Sequence, residues 1–357
     1  MPLLFVGDYL YDYDECPTDL EQLGQRFREN DDRVVLNLEG ALKGRAPVHL
    51  EEPTYQSETF APVLKRLNTV AVSLANNHTM DGGPDGLSRL IGALDEQQII
   101  HFGAGADLAA ATKLRTLSEA GTRIGLLAFG WRMEECVAAT SRRPGVAPLE
   151  NKLILKAIRQ NRPLVDCLIV CFHWGYEYEL RPLPVHRQLA HNAIEAGADL
   201  IIGHHPHVIQ ATETFRGKQI YYSLGNFYFG SRREVFTTLN PTAEEHSQLG
   251  LGVRLSFGVG LETQLVFFRY QSRRTELCED GPPLEDISAI TLAAYNPYFQ
   301  SRRQTDWRPT LYSGALQRPL NRARLLWFAL RTRAIAFLKT VGLFRWMRRL
   351  RGKLRFA

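Results

Sequence analysis

Three things are missing from this 357-residue chain. No run approaches the roughly 18 apolar residues of a bilayer-spanning helix. No two of its five cysteines stand as Cys-x-x-Cys, and no Asp or Glu follows Asp306. The first absence removes integral-membrane helices from the reading. The second removes zinc knuckles and dithiol redox motifs. Cys16, Cys136, Cys167, Cys171 and Cys278 are odd in number and scattered, so no disulfide framework is expected; Cys167 and Cys171 lie in an apolar run, where cysteine packs as a small hydrophobe. The third absence divides the chain electrically. Thirteen of the 43 Lys and Arg lie after residue 306, leaving 30 basic against 38 acidic side chains in the body. An acidic body and a basic tail are therefore read separately. Residues 1–6 lack the basic segment and cleavage site of a secretory leader, so a cytoplasmic body is the expectation.

What is present is a rhythm. Short apolar runs at 3–6, 34–38, 69–74, 99–102, 123–129, 165–172, 200–202 and 220–224 read as strands. They alternate with helical spacing at 19–28, 60–67, 84–96, 150–160 and 185–196. That alternation predicts a layered α/β architecture, and continuously apolar strands predict a sheet covered on both faces. Two further strands, 252–257 and 262–270, are expected to be antiparallel, and 231–248 is expected to be a polar loop.

Six strand ends carry polar or metal-competent groups: Asp8, Glu39, Asn77 with His78, His173, His205 with His207, and Asn226. Sites in open α/β sheets lie at the carboxyl ends of strands. Carboxylates, an amide oxygen and several imidazoles suit zinc, manganese or iron better than magnesium. In Gly203-His204-His205-Pro206-His207, the proline stiffens a two-histidine grip. His204 reads equally as part of the grip or as pointing away. His186 and His191 read as surface or packing residues on a helix. Glu177 and Glu213 are the carboxylates available to support metal-bound imidazoles. Trp174, Tyr176 and Tyr178 are expected to pack, with a pocket-lining role as the alternative.

The ordered motifs Gly7-Asp8, Asn37-Leu38-Glu39, Ala75-Asn76-Asn77-His78 with Asp81, His173-Trp174-Gly175-Tyr176-Glu177, Gly203 to Gln210 and Tyr222 to Asn226 together resemble the bacterial capsule-synthesis CapA family, or poly-γ-glutamate capsule domain. The resemblance covers about residues 3–270. It implies a four-layer α/β/β/α sandwich similar to calcineurin-like metallophosphoesterases, and a role in making or exporting an anionic surface polymer. By comparison with metallophosphoesterase motifs, one metal position would keep Glu39, Asn77, His173 and His205. The other would keep Asp8, Glu39 and His207, and it lacks a ligand because residue 10 is leucine rather than histidine. One tight metal and one weak or absent one follow. His78 would be the acid and Asp81 its orienting partner, with Asn37, Glu177, Glu213 and Asn226 behind the ligands or against substrate.

The expected organisation is a domain over 1–270, an irregular extension over 271–318 and a basic amphipathic helical tail over 319–357. Arginines among Trp, Phe and Leu in the tail fit an interfacial helix on anionic lipid, with a helix packed on the acidic body as the next alternative and nucleic-acid binding after it. The chain would then sit on the inner face of a membrane, within a capsule-synthesis complex, with an anionic polymer or phosphorylated compound as substrate. A metallophosphoesterase acting on a small phosphate ester or diester, and a non-catalytic membrane-bound assembly factor, are the alternatives.

Overall fold

Residues 167–172 show how the layers arise. Cys167, Ile169 and Cys171 join the large central apolar cluster, while Leu168, Val170 and Phe172 are buried just as fully outside it. A strand with both faces dry has no reason to alternate apolar with polar, which is why this stretch reads as one continuous run. In the computed structural model the described residues are 1–302 without 14, 46–52, 231–245, 259, 272–273 and 279. All of them belong to the compact unit Met1–Asp306. The expected tail at 319–357, and all but the last residues of the expected polar loop at 231–248, lie outside the described residues.

In chain order the elements are β1 (Leu3–Leu10), α1 (Thr18–Glu29), β2 (Arg33–Leu38), α2 (Phe60–Arg66), β3 (Thr69–Ser73), α3 (Gly83–Glu96), β4 (Ile100–Phe102), β5 (Ala104–Gly105), α4 (Leu108–Ala111), β6 (Arg115–Glu119), β7 (Thr122–Gly130), β8 (Gly145–Val146), α5 (Asn151–Asn161), β9 (Cys167–His173), α6 (Pro184–Ala196), β10 (Leu200–His204), β11 (Thr212–Phe215), β12 (Lys218–Tyr221), β13 (Asn226–Phe229), β14 (Leu249–Phe257), β15 (Leu261–Gln271), β16 (Arg274–Cys278) and α7 (Leu292–Arg302). One sheet runs β16-β15-β14-β1-β2-β3-β4 with β13 also paired to β1, and the second runs β11-β12-β10-β9-β7-β6. The short β5 and β8 form a separate antiparallel pair.

The stripes Leu20/Leu23/Phe27, Phe60/Val63/Leu64 and Leu87/Leu90/Leu94 seat α1, α2 and α3 on the first sheet within the central cluster. On the far side α5 and α6 pack together, and α6 lies on β10. The architecture is a four-layer α/β/β/α sandwich. Among the described residues no helix is long and apolar enough to cross a membrane.

Two regions depart from the sequence expectation. The run at 220–224 is not one strand: β12 ends at Tyr221, and Ser223–Gly225 carries the chain from the second sheet to the first. Asn226 therefore opens β13 instead of closing a strand, and it pairs in register with Asp8 of β1. Apolarity persists through the crossing, so hydropathy does not mark it. Gly7 is what lets the crossing segment come this close, since a Cβ there would lie 1.9 Å from the Gly225 carbonyl oxygen.

The second departure is the expected irregular extension. Its residues 274–278 form β16 on the edge of β15, and 292–302 form α7 on α6. Pro297 inside α7 breaks the helical signal. A buried network fastens this region. Arg187 of α6 donates from Nε and Nη2 to the two oxygens of Glu213 (2.9 and 2.6 Å), donates to the Ile287 carbonyl (3.1 Å), and lies over the Tyr295 ring at 4.5 Å.

Removing one partner of such a pair strands the other in a dry interior. We expect Arg187→Leu to lower stability by about 3–5 kcal/mol in urea unfolding and to open 287–302 to proteolysis. An unchanged midpoint and an unchanged digestion pattern would argue against the clamp.

Candidate functional site

The carboxyl ends of β1, β2, β3, β9 and β10 meet where the two sheets face each other. Parallel pairing sets the register: β1 places Asp8 beside Asn37 of β2, and β9 places His173 beside His204 of β10. Asp8, Asn37 and Glu39 are completely buried, and His173, His204, His205 and His207 nearly so. Asn37 is the connector. Its Nδ2 donates to Asp8 Oδ1 (2.8 Å) and lies 3.4 Å from both Glu39 Oε2 and His173 Nδ1, while its Oδ1 accepts from Asn76 Nδ2 (3.3 Å). The other side of the His173 ring meets Asn77, with Nε2 2.9 Å from Oδ1.

The Gly203–His207 segment bends away from β10 under strain. His205 and His207 have φ of 98° and 58°, a region that residues other than glycine rarely occupy. Gly203 makes the bend possible, because a Cβ there would fall 1.8 Å from the Tyr222 carbonyl oxygen, the acceptor for Trp174 Nε1. The bend returns the His205 backbone N–H to Asp8 Oδ2 (3.2 Å) and brings His207 Nδ1 to within 3.3 Å of the same oxygen. His207 Nδ1 also lies 2.9 Å from Asn226 Oδ1, and its Nε2 is 3.6 Å from Glu39 Oε1.

Two groups of donors come within 4.8 Å of one another: Glu39, His205 and His207, and Asp8, Glu39 and His173. Glu39 is common to both. These groups set His205 beside His207 and His173 beside Asp8, while His207 also reaches Asp8 and the His173 and His205 rings lie 4.7 Å apart. The donor set fits a divalent cation on a second count. Glu39 Oε1 and both ring nitrogens of His205 are buried and make no hydrogen bond within the protein, an expense that a buried polar group seldom bears without a partner. Leu10 is buried and points toward Gly40, so residue 10 adds no donor.

The charges are balanced internally. Burial alone would raise Asp8, but hydrogen bonding and charge from His204 and His207 hold it well below the usual carboxylate range. Burial, then the neighbouring Asp8, pushes Glu39 well up. Burial, then His207, lowers His205 to about 3, and burial followed by His205 lowers His173. For His207 burial works downward, yet Glu39 and Asp8 override it and lift the ring to about 10. His207 thus sits as a cation among the carboxylates.

Beside this cluster, His78 Nδ1 lies 2.8 Å from Asp81 Oδ2, which also accepts from the Thr54 backbone N–H at 2.7 Å. His78 is about one-quarter exposed, whereas Asp81 is sealed. Glu177 is exposed at the rim, close enough to act electrostatically on Glu39 and His207. Glu213 is not brought to the site. Its oxygens are taken by Arg187, by His191 at 2.8 Å and by the Tyr222 hydroxyl at 2.7 Å. His186 and His191 are both buried packing residues; His186 stacks on Trp174 and meets Trp131 edge-on. Trp174 and Tyr176 are buried in the same aromatic layer.

Three further residues reach the cluster, His204 weighed evenly from the sequence, Asn76 present in a motif without an assigned part, and Glu134 not foreseen. His204 Nδ1 lies 3.4 Å from Asp8 Oδ1, Asn76 buttresses Asn37, and Glu134 Oε2 lies 3.9 Å from His205 Nε2. The histidine triplet and the doubled asparagine signalled the first two. Glu134 sits in a loop after β7 with no pattern around it.

A family model described as "Bacterial capsule synthesis protein PGA_cap" matches residues 3–231. The PGA biosynthesis protein CapA of Bacillus subtilis is 38% identical over 168 residues, taking in 47% of this chain and 44% of that protein. The capsule biosynthesis protein CapA of Bacillus anthracis is 33% identical over 176 residues, with 48% and 43% covered. The chain thus spans under half the length of these relatives. Among solved structures, a 5'-nucleotidase precursor from Thermus thermophilus superposes with a TM-score of 0.44 at 14% identity, covering 84% of this chain and 59% of that one.

The charge balance dictates a pH profile for the metal-free protein. His205, depressed to about 3, adds stability as pH rises from 3 toward 6.5. His207, raised to about 10, contributes fully below 6.5 and loses its contribution as pH climbs to 10. Urea midpoints recorded in the presence of a chelator should therefore fall between pH 6.5 and 10; a flat profile across that window would contradict the assignment.

Proposed function

This chain belongs to the bacterial capsule synthesis family PGA_cap, and from that premise we propose that it serves capsule or poly-γ-glutamate production through a metal-dependent, hydrolase-like site at the strand ends. The observation that carries the reading is the pair of donor groups sharing Glu39, with buried His205 and Glu39 atoms that no protein group satisfies. Every residue of the cluster, from Asp8 to Asn226, falls within the span matched by the family.

A divalent cation held by Asp8, Glu39, His173, His205 and His207 would lower the pKa of bound water and polarise a phosphoryl or carbonyl oxygen. Zinc, manganese or iron suits these donors. The chain's own residues supply orientation and protons. Asn77 Oδ1, 2.9 Å from His173 Nε2, orients that ring. His78, partly exposed and backed by Asp81, would give a proton to a leaving group. An anionic polymer or phosphorylated compound is the substrate class that this chemistry serves. Attachment to the inner face of a membrane, through the basic stretch 319–357, belongs to the same proposal and rests on the composition of that stretch.

Elemental analysis of the purified protein is expected to find one tightly held ion per chain, lost in His205→Ala. In a phosphodiester assay with added manganese, His78→Asn should abolish turnover while sparing metal content. Absence of metal from the wild type would overturn the proposal; metal without turnover would turn it toward a structural role in polymer assembly.

A further inference from the structure

The second sheet sends a third strand end to the site. β7 pairs in parallel with β9, opposing Gly130 to His173, so the loop leaving β7 emerges against the cluster. The loop is firmly tied. The Trp131 backbone N–H donates to the His173 carbonyl (3.0 Å), and the Trp131 ring meets His186 edge-on at 4.6 Å. A single 3-10 turn, Arg132–Glu134, follows and closes at Glu135 in the left-handed region, φ 68°. A non-glycine residue there stores strain, which persists only where the surroundings over-determine it.

That turn aims Glu134 at His205. Its Oε2 lies 3.9 Å from Nε2 of a ring that is 1% exposed and whose nitrogens make no hydrogen bond within the protein. Glu134 is 18% exposed, so it stands between the sealed imidazole and solvent. A separation of 3.9 Å is too long for a direct hydrogen bond, but it is bridged by a small ring rotation or by one water.

Resting on the metal-site reading above, we propose that Glu134 is a positioning residue for His205: it holds the ring through Nε2–H and leaves Nδ1 as the nitrogen that carries the lone pair for a metal. Metal-binding histidines regularly have such a carboxylate behind them, and losing it costs about 10–100-fold in metal affinity. Glu213, the residue expected to serve in this way, is committed elsewhere. Glu134 fills the role from the turn that follows β7.

The experiment is a zinc titration against a competing chelator, with the full chain and four variants: Glu134→Ala, Glu134→Gln, His205→Ala and the double variant Glu134→Ala/His205→Ala. Glu134→Ala should bind zinc about 10–100-fold more weakly than wild type, with the isosteric Glu134→Gln weakened less. Because Glu134 acts through His205, adding Glu134→Ala to His205→Ala should cost nothing further. Imidazole 15N NMR of the metal-free protein should show His205 as the Nε2–H tautomer in wild type, with that preference lost in Glu134→Ala. Equal zinc affinity in wild type and both single Glu134 variants, additive losses in the double variant, or an unchanged tautomer would overturn this assignment while leaving the metal site standing. A wild type that binds no zinc, manganese or iron would instead remove the metal site itself, and this role with it.

Discussion

Asp8 is a carboxylate with no access to water, and the arrangement of the strand ends follows from the need to satisfy it. A buried unpaired carboxylate is among the costliest groups a fold can hold. Here Asn37 donates to one oxygen and the His205 backbone to the other, while His204 and His207 bring imidazoles to 3.4 and 3.3 Å. Those partners come from β2, from the end of β10 and from the strained segment beyond it. One charge thus ties both sheets to a common point, and His207 can be cationic only because Asp8 and Glu39 are there.

The same constraint explains why the cluster is poorly designed for stability taken alone. His205 and His207 adopt left-handed backbone angles, and His205 carries two unsatisfied ring nitrogens in a dry setting. Strain and orphaned polar atoms of this kind persist where function demands them. The surrounding structure supplies the compensation: an apolar cluster spanning both sheets and three helices, and the Arg187–Glu213 network that locks α6 to the C-terminal part of the unit.

Much of this is legible in the residues. Strands buried on both faces produce unbroken apolar runs, and each run stops where a donor begins, so Asp8, Glu39, His173 and His205 can be placed at strand ends from sequence. The place of Glu39 among the donors follows from motif position. What cannot be read is contact between segments far apart in the chain. Glu213 reads as a carboxylate near histidines, but nothing local reveals that Arg187 and His191, one turn apart on α6, claim it. Glu134 stands in a loop without periodicity and reaches His205 only through the pairing of β7 with β9. The passage from β12 to β13 is hidden because the residues on both sides are equally apolar, and α7 is hidden by Pro297.

That passage from one sheet to the other has a mechanical meaning. Ser223–Gly225 is a covalent crosspiece at the rim, and the strand it feeds is laid directly against β1, Asn226 opposite Asp8. The sheets therefore cannot part at the site end without tearing β13 from β1, so any hinging between them must open at the opposite edge. A ligand of unusual size would find no accommodation in sheet separation. Any change in what the site admits falls to the segments around the rim that carry no donor.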